Sequence, residues 1–370
     1  MISNGTSLSQ LTIHKLKKNP LAITAAIIIF IAAFVSIFCY VLATDKTKDA
    51  ALQQIVLKYK PIGYEQLTLK IPLSGYQKNL SIKDYIFGKQ QDYEEIAITD
   101  YTVTPTHIEY LPYIGDDLVA EAKEVSLQVF TNNDIKPTKV EKDFIYTKKY
   151  YLGTDSFGRD FYSRLLIGTR ISFFVGFIAV LISLIVGITI GAVGGYYRGR
   201  VDDAIMWIIN VVWSIPTLLL VMAITLAIGK GFWQIFIAVG LTMWVEVARV
   251  VRGQFISYRE MEFVEAARAL GMTDARIIFK QILPNTLAPV IVISAANFAA
   301  AILIESGLSF LGIGAQPPTP SWGNIIKEHY AHIILGKQHL ALLPGLLILV
   351  LVLAFNVFGN QLRDAMDIKG

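Results

Sequence analysis

The run LAITAAIIIFIAAFVSIFCYVLA, residues 21–43, decides the class of fold. It holds no charged residue over about 23 positions, and a helix needs about 20 apolar residues to cross the hydrocarbon core of a bilayer. Lysines at positions 15, 17 and 18 precede it, so it could also open a signal peptide that is cleaved after Ala43. The apolar run exceeds the usual signal length of about 7–15 residues, which favours an uncleaved membrane anchor.

The composition of the whole chain supports a membrane protein. The 370 residues are 54% hydrophobic and 17% charged, whereas soluble domains hold about 25% charged residues. The net charge of +4 comes from basic residues beside apolar runs, a pattern typical of membrane topology rather than of nucleic-acid binding. A single cysteine, Cys39, excludes an intrachain disulfide and a cysteine-based metal cluster.

Five further apolar runs predict six membrane spans in total; they cover residues 171–196, 204–228, 232–250, 287–311 and 341–358. Basic residues mark the predicted inner side: Arg198 and Arg200, six in the loop 249–280, then Arg363 and Lys369. The opposite turn, residues 229–231, holds only Lys230. This asymmetry predicts that both termini are cytoplasmic.

Two spans carry helix-packing signals. Gly187, Gly191 and Gly195 recur at every fourth position of the second span, so their hydrogen-only side chains share one helix face and predict close approach of another helix. Pro216 interrupts the third span, where it removes a backbone donor and predicts a kink. Such a kink could shape a pore or simply fit a neighbouring helix.

Between the first two spans the composition becomes that of a soluble region. Residues 45–151 are rich in Lys, Asp, Glu and Tyr, and short alternations at 67–71, 96–101 and 124–130 are typical of half-buried strands. The topology places this segment outside the membrane. We therefore expect a small outer domain that contains β-structure.

The predicted inner loop between the fourth and fifth spans forms a helix-turn-helix. Residues 262–270 are a good helix sequence, with a face made of Phe263, Ala266, Ala267 and Leu270 and an i,i+3 pair of Glu265 and Arg268. Gly271 fits a left-handed stop and Thr273 an N-cap. A second helix, 274–281, is expected to end at Pro284. Tethered between two spans, the loop is unsuited to reading DNA.

This loop resembles a known family. Glu265, Ala266, Ala267 and Gly271, followed by Leu283 and Pro284, are similar to the EAA loop of binding-protein-dependent ABC importer permeases. The resemblance implies that these six residues form the coupling element that docks into the ATPase subunit. One departure is Gln281, where the broad pattern has isoleucine; a polar residue there fits the peptide-type branch.

Other motifs resemble the second permease of dipeptide, oligopeptide and nickel importers, and they cover the chain except the insert: GTDSFGRD at 153–160, SRL at 163–165, GTRIS at 168–172, SIPT at 214–217, ESGLSFLGIG at 305–314, QPP at 316–318 and SWG at 321–323. The resemblance implies an all-α membrane protein with six helices of the type I permease kind and an α+β or β insert. It divides the chain into 1–44 with the first span, the insert 45–151, and a core 152–370 with the coupling loop 255–285.

The chain lacks a G-x-x-x-x-G-K-[ST] phosphate loop, so it is not expected to hydrolyse ATP. The resemblance implies a bacterial inner-membrane complex with a second permease, P-loop ATPase subunits and an outer substrate-binding protein, without nucleic acid or cofactor. The expected cargo is a di- or oligopeptide, with nickel or a glutathione-like solute as alternatives. A multi-span sensor leaves the loop motif unexplained, and a proton-coupled carrier calls for inverted halves that are not evident.

A few polar residues within or beside the spans are functional candidates. Glu305, an ionisable group at membrane depth, and Pro216 are predicted to belong to the pathway or gate, although Glu305 could equally bond within the bundle. Glu246 is expected to pair with Arg249 along one helix. His329 and His332 could meet a metal ion, but without a third ligand in the sequence we expect a surface pair.

Overall fold

The computed structural model describes residues 8–366, apart from 74–75, 78–79, 117, 119, 131–136 and 230. Lys230 and Lys369, used in the charge argument, lie outside the described residues. The fold is mostly helical, and five helices are long and apolar enough to cross a membrane, with one bent pair as a sixth candidate. The five are α2 (Pro20–Leu42), α5 (Phe161–Tyr197), α8 (Phe232–Arg259), α11 (Leu283–Phe310) and α13 (His339–Met366).

The first span begins at a well-defined cap. A helix that we did not predict, α1 (Leu8–Lys18), ends just before Asn19. The Asn19 side chain accepts hydrogen bonds from the backbone of Leu21 and Ala22, and Pro20 occupies the first turn of α2, where its missing N–H costs nothing. Phe30, 70% exposed, is typical of the outward side chains of α2, which are suited to lipid.

The glycines of the second span bring α5 against α8, as predicted. A Cβ atom at Gly187 would lie 2.6 Å from Val247 Cβ, one at Gly191 2.5 Å from the Ala248 carbonyl oxygen, and one at Gly195 2.6 Å from Phe255 Cβ. No real side chain tolerates such contacts, so only glycine permits this approach. With 37 residues, α5 begins ten residues before the predicted span and is about 55 Å long at 1.5 Å per residue.

The third span is broken rather than gently kinked. Helices α6 (Gly199–Ser214) and α7 (Thr217–Ile228) meet at 94° around Ile215 and Pro216. The predicted interruption at Pro216 is confirmed, and the predicted span 204–228 corresponds to this bent pair of helices. Pro216 removes a donor and places α7's N-terminus after an extended residue, so the helix restarts in a new direction. We call this bend the elbow.

The bundle core lies where α5, α11 and α13 meet. The rings of Phe298 and Phe355 stack with centroids 4.0 Å apart, and Phe173 packs 5.1 Å from Phe298. Trp322, at the start of α12 (Trp322–His329), is buried against the same cluster and donates to the Leu165 carbonyl oxygen over 3.3 Å. The stacked aromatic rings fill the space between these three helices.

The insert contains an antiparallel sheet with strand order β4-β3-β2-β1-β5. Its elements are β1 (Tyr64–Pro72), α3 (Ile82–Phe87), β2 (Tyr93–Val103), β3 (His107–Pro112), β4 (Lys123–Ser126), α4 (Pro137–Phe144) and β5 (Ile145–Tyr150). Leu69 lies opposite Ile96 on one side and Ile145 on the other. The strands predicted at 67–71 and 96–101 are therefore confirmed.

The strand predicted at 124–130 is only half right. The strand ends at Ser126, and Leu127–Phe130 forms a 3-10 helix. Leu127 and Phe130 are both buried in the sheet's core cluster. Residues three apart lie on one side of a 3-10 turn but on opposite faces of a strand, so burying both side chains favours the turn.

A polar joint closes the insert where it leaves and rejoins the bundle. The Thr44 hydroxyl, just after α2, hydrogen-bonds to Asp160 and lies 3.0 Å from Ser163 Oγ. Asp160 also caps α5 through the Tyr162 amide, and the backbone N–H of Asp45 donates to Ser163 Oγ over 2.9 Å. Segments more than 100 positions apart in sequence thus meet at one point.

Candidate functional site

The loop between α8 and α11, which is predicted to lie on the inner side and which we call the inner loop, has the predicted helix and turn. Helix α9 spans Glu262–Ala269, and Gly271 follows it with φ of +72°. The amide of Gly271 donates to Arg268 O over 2.9 Å, and that of Met272 to Ala267 O over 3.1 Å, which ends the helix as expected for a left-handed glycine. Thr273 occupies the N-cap position of α10 (Asp274–Ile277), although its side chain makes no capping bond among the described residues.

The buried face of α9 differs from the predicted one. Val264 and Ala267 are 0% and 4% exposed and pack with Phe255, Ile277 and Ile282, whereas Phe263, Ala266 and Leu270 are exposed. The i,i+3 pair of Val264 and Ala267 also forms an apolar stripe. This stripe is the buried one because the shorter side chains of Val264 and Ala267 pack against the bundle, and the larger Phe263 and Leu270 then point to solvent.

The predicted pair of Glu265 and Arg268 is not among the ion pairs of the described residues. Arg268 lies instead over the ring of Tyr196, 5.7 Å from its centroid, and the Tyr196 hydroxyl donates to Asp274 Oδ1 over 2.6 Å. Because Tyr196 belongs to the end of α5, the loop is fixed to the bundle from both of its helices. The exposed Glu265 remains available at the loop surface.

The predicted stop at Pro284 is wrong. The chain runs from α10 through a π-helical stretch, Ile278–Ile282, directly into α11, and Leu283 and Pro284 occupy the first turn of α11. The widened π-helical turn before Pro284 leaves room for its ring, so the helix continues through the proline. Gln281 belongs to this π-helical stretch.

Glu305 lies inside the bundle. Its side chain is fully buried and accepts hydrogen bonds from Ser309 Oγ over 2.7 Å, Ser172 Oγ over 3.2 Å and Ser306 Oγ over 3.5 Å. Hydroxyl donors are what a buried carboxyl group needs. The hydrogen bond from Ser172 joins α5 to α11. Pro216 lies apart from this group, at the elbow, and a pathway role for Glu305 or Pro216 stays a prediction.

A cavity of about 140 Å³ lies beneath the elbow, lined by residues of α6, α7, α8 and α11 that include Trp213, Ile215, Thr217, Thr242, Glu246 and Ile304. The predicted pair of Glu246 and Arg249 is wrong for the described residues. Arg249 donates to Asn210 Oδ1 over 2.9 Å, and its guanidinium stacks 3.4 Å from the Trp213 ring centroid. A larger cavity, about 520 Å³, lies between α2, α5 and the start of α8.

The histidines are not a surface pair, because His329 is fully buried. Its ring lies 5.7 Å from that of His332, and its Nδ1 lies 2.8 Å from the Ile325 carbonyl oxygen. Burial lowers the pKa of His329. Ligand atoms of Asp155, Glu328 and His329 lie within 4.8 Å of one another, a spacing that a metal ion could use.

Two arginines already occupy those carboxylates. Arg159 contacts Asp155 at 2.5 Å and Glu328 at 2.6 Å, and Arg164 contacts Glu328 at 3.2 Å. Two guanidinium groups repel a further cation, so the cluster fits an ion-pair network better than a metal site. Arg159 bonds across to α12 and Asp160 caps α5, and nothing in the motif shows that α12 supplies the partner.

Comparisons with known proteins agree with this architecture. Residues 184–368, half of the chain, match the family described as "binding-protein-dependent transport system inner membrane component". The chain is 39% identical over 220 residues to the glutathione transport system permease protein GsiD of Pectobacterium atrosepticum, covering 60% of this chain and 73% of that protein. It is 42% identical over 221 residues to the dipeptide transport system permease protein DppC of Alkalihalophilus pseudofirmus, covering 60% and 72%.

Among solved structures, an inward-facing MetNI methionine ABC transporter chain is similar with a TM-score of 0.45 and 18% identity, over 54% of this chain and 95% of that one. The sequence matches, together with the membrane helices and the inner loop, decide the assignment. This chain belongs to the binding-protein-dependent transport system inner membrane component family and is a multi-pass permease subunit of an ABC importer.

Proposed function

We propose that this chain carries peptides into the cell as one of two permeases of a type I importer, and that its inner loop couples transport to separate P-loop ATPases. The observation that carries the coupling role is the set of apolar side chains that the loop exposes to solvent. Leu270 and Phe279 are 80% and 66% exposed, beside the exposed Glu265 and Ala266. Exposed apolar side chains on a well-packed base are typical of a docking surface.

The loop is also built to transmit force. Val264 and Ala267 anchor α9 to the bundle, and the π-helical stretch leads without a gap into α11. A push on α9 therefore reaches a membrane helix through packed side chains and continuous backbone. Rigid-body movement of this kind fits alternation between inward-open and outward-open states.

The remaining partners follow from the same proposal. A substrate-binding protein delivers cargo on the outer side, where we place the insert, and both termini lie in the cytoplasm. The relatives are named for dipeptide and glutathione transport, which are both peptide cargoes, so a short peptide is the cargo class that we propose. Residues Leu283 and Pro284 close the coupling element at the start of α11.

The first test is mass spectrometry of the proteins that co-purify with the tagged chain from its own membrane in mild detergent. We expect a second permease and P-loop ATPase subunits in near-equal amounts, and uptake of a radiolabelled dipeptide by the complex in liposomes with its binding protein and ATP. A chain that purifies alone or only with itself would refute the proposal. Uptake of Ni²⁺ but not of dipeptide would refute the cargo class alone.

The docking surface is tested by Leu270→Asp and Phe279→Asp. Each change places a charge in the proposed apolar contact, so the amount of co-purifying ATPase should fall about ten-fold or more, while the melting temperature stays unchanged because both side chains are exposed. Val201→Asp, at an exposed apolar position of α6, is the matched control and should retain the ATPase. Equal ATPase recovery in all three variants would contradict the assignment.

A further inference from the structure

Glu246 is an exposed carboxylate halfway along a membrane helix. It is the fifteenth of the 28 residues of α8, so it lies about 20 Å from either end of the helix at 1.5 Å per residue. The predicted span 232–250 contains it, four residues or about 6 Å from the end that adjoins the inner loop. Glu246 forms no hydrogen bond or ion pair with any described residue.

The surface around Glu246 is polar along one stripe. Thr242, Glu246, Arg249 and Gly253 follow at spacings of four, three and four residues, which places them on one face of α8. The same face looks toward the elbow, because Arg249 bonds to Asn210 and stacks on Trp213 of α6. Thr242 and Glu246 line the elbow cavity.

This face is unsuited to lipid. An ionised carboxylate in hydrocarbon is costly, and charged residues at that depth face water-filled space or a cationic partner. The one nearby guanidinium in the described part of the elbow, that of Arg249, is held by Trp213 and Asn210. Glu305, the carboxyl group buried between α11 and α5, is already bonded by serines. Of these two carboxyl groups, Glu246 is the one that is free to bind a ligand.

We propose that Glu246 faces the aqueous translocation path and binds the ammonium group of a peptide in transit. This inference rests on the proposed peptide import and adds a cargo-binding residue to it. A carboxylate and an ammonium group form a charge-assisted hydrogen bond. The elbow supplies a concave wall beside the carboxylate, because Trp213 and Thr217, on either side of the 94° bend, line the same cavity as Glu246.

Accessibility is the first test. In the complete reconstituted complex with Cys39→Ala in this chain, Glu246→Cys should react with a positively charged, water-soluble methanethiosulfonate reagent. Phe30→Cys, on the lipid-suited face of α2, should react at least about ten-fold more slowly, because the thiolate forms only in water. Added binding protein, dipeptide and ATP should slow the reaction at position 246. An unreactive Glu246→Cys in every nucleotide state overturns the proposal and places the residue against lipid or a partner subunit.

Cargo recognition is the second test. Glu246→Gln should lower uptake of a free-amine dipeptide about ten-fold through loss of one charged hydrogen bond, and Glu246→Asp should restore most of it. Uptake of the N-acetylated dipeptide should not differ between wild type and Glu246→Gln. Asp203→Asn, an exposed acid on α6, is the matched control and should leave uptake unchanged.

ATPase activity and subunit composition separate the two levels of failure. If Glu246→Gln assembles, hydrolyses ATP and imports the free-amine dipeptide like wild type, the role of Glu246 is refuted while peptide import stands. If assembly itself is lost, a cation of the partner permease holds Glu246 and the proposal is again wrong. A wild-type complex that imports no peptide refutes the proposed function instead.

Discussion

Single charged side chains decide how the end of the bundle beside the insert is fixed. Arg164 is fully buried, and its guanidinium lies between Glu328 at 3.2 Å and Asp155 at 3.6 Å. The sequence shows Asp155 beside these arginines, but Glu328 lies more than 160 positions away. A contact of that range leaves no local pattern, so the sequence does not reveal that the charged side chains of the 153–160 motif are buried.

Arg164→Met tests this cluster. The substitution keeps much of the side-chain volume but leaves the carboxylates of Asp155 and Glu328 short of a cation, and breaking a buried ion pair costs about 3–5 kcal/mol. Chemical unfolding of the purified protein in mild detergent measures the loss. Lys149→Met, which breaks the exposed pair with Glu65, is the control and should cost at most about 1 kcal/mol. Equal losses would show that Arg164 is not held as described.

His329 gives the same region a pH dependence. Burial lowers its folded-state pKa below the unfolded value, so its contribution to stability is present above about pH 6.5 and is lost as the pH falls through the lowered pKa. The melting temperature of wild type should therefore fall more steeply than that of His329→Gln between about pH 7 and pH 5. Parallel curves for the two proteins would contradict the buried neutral histidine.

At the scale of helices and strands, apolar run length predicted where helices exist but not where they end or break. The predicted span 171–196 begins after Arg170, yet α5 begins at Phe161. The helix extends past both arginines because Arg164 is buried between carboxylates that the local sequence does not identify as its partners. Pro216 predicted an interruption, but the angle between α6 and α7 depends on how these helices pack against α8. The face of α9 was ambiguous, since Ala267 belongs to both stripes.

The α5–α8 contact should be sensitive to one methyl group. In Gly191→Ala the added methyl carbon would lie 2.5 Å from the Ala248 carbonyl oxygen, and overpacking of this kind typically costs about 1–3 kcal/mol. Gly253→Ala, also within a helix and with no described atom within 4 Å of the new Cβ, should be neutral or stabilising. Thermal unfolding of both variants in detergent is the measurement, and a Gly191 variant as stable as wild type would show that these helices are not in contact.

Across the whole molecule, the order of spans, insert and inner loop followed from where apolar and polar stretches lie along the sequence. The side of the membrane predicted for each segment rests instead on basic residues in the short loops. Charge asymmetry is a good guide for such loops. Charge asymmetry does not predict the side on which the insert lies, because long loops cross the membrane largely regardless of their charge. The side that each segment occupies therefore needs a direct measurement.

Single-cysteine labelling supplies it. In a Cys39→Ala background, Ile82→Cys on α3, 81% exposed, should react with a membrane-impermeant maleimide added to intact spheroplasts. Leu270→Cys on the inner loop should react only after the membrane is permeabilised, because a charged reagent does not cross hydrocarbon. The reverse labelling pattern would invert the topology and place the coupling loop outside.

The joint of Thr44, Asp160 and Ser163 has a consequence for how the chain tolerates changes in its length. Because α2 ends where α5 begins, and the first and last strands of the insert, β1 and β5, pair with each other, the insert leaves and re-enters the bundle at neighbouring points. A change in the number of residues between these points therefore requires no change in the position of α2 relative to α5.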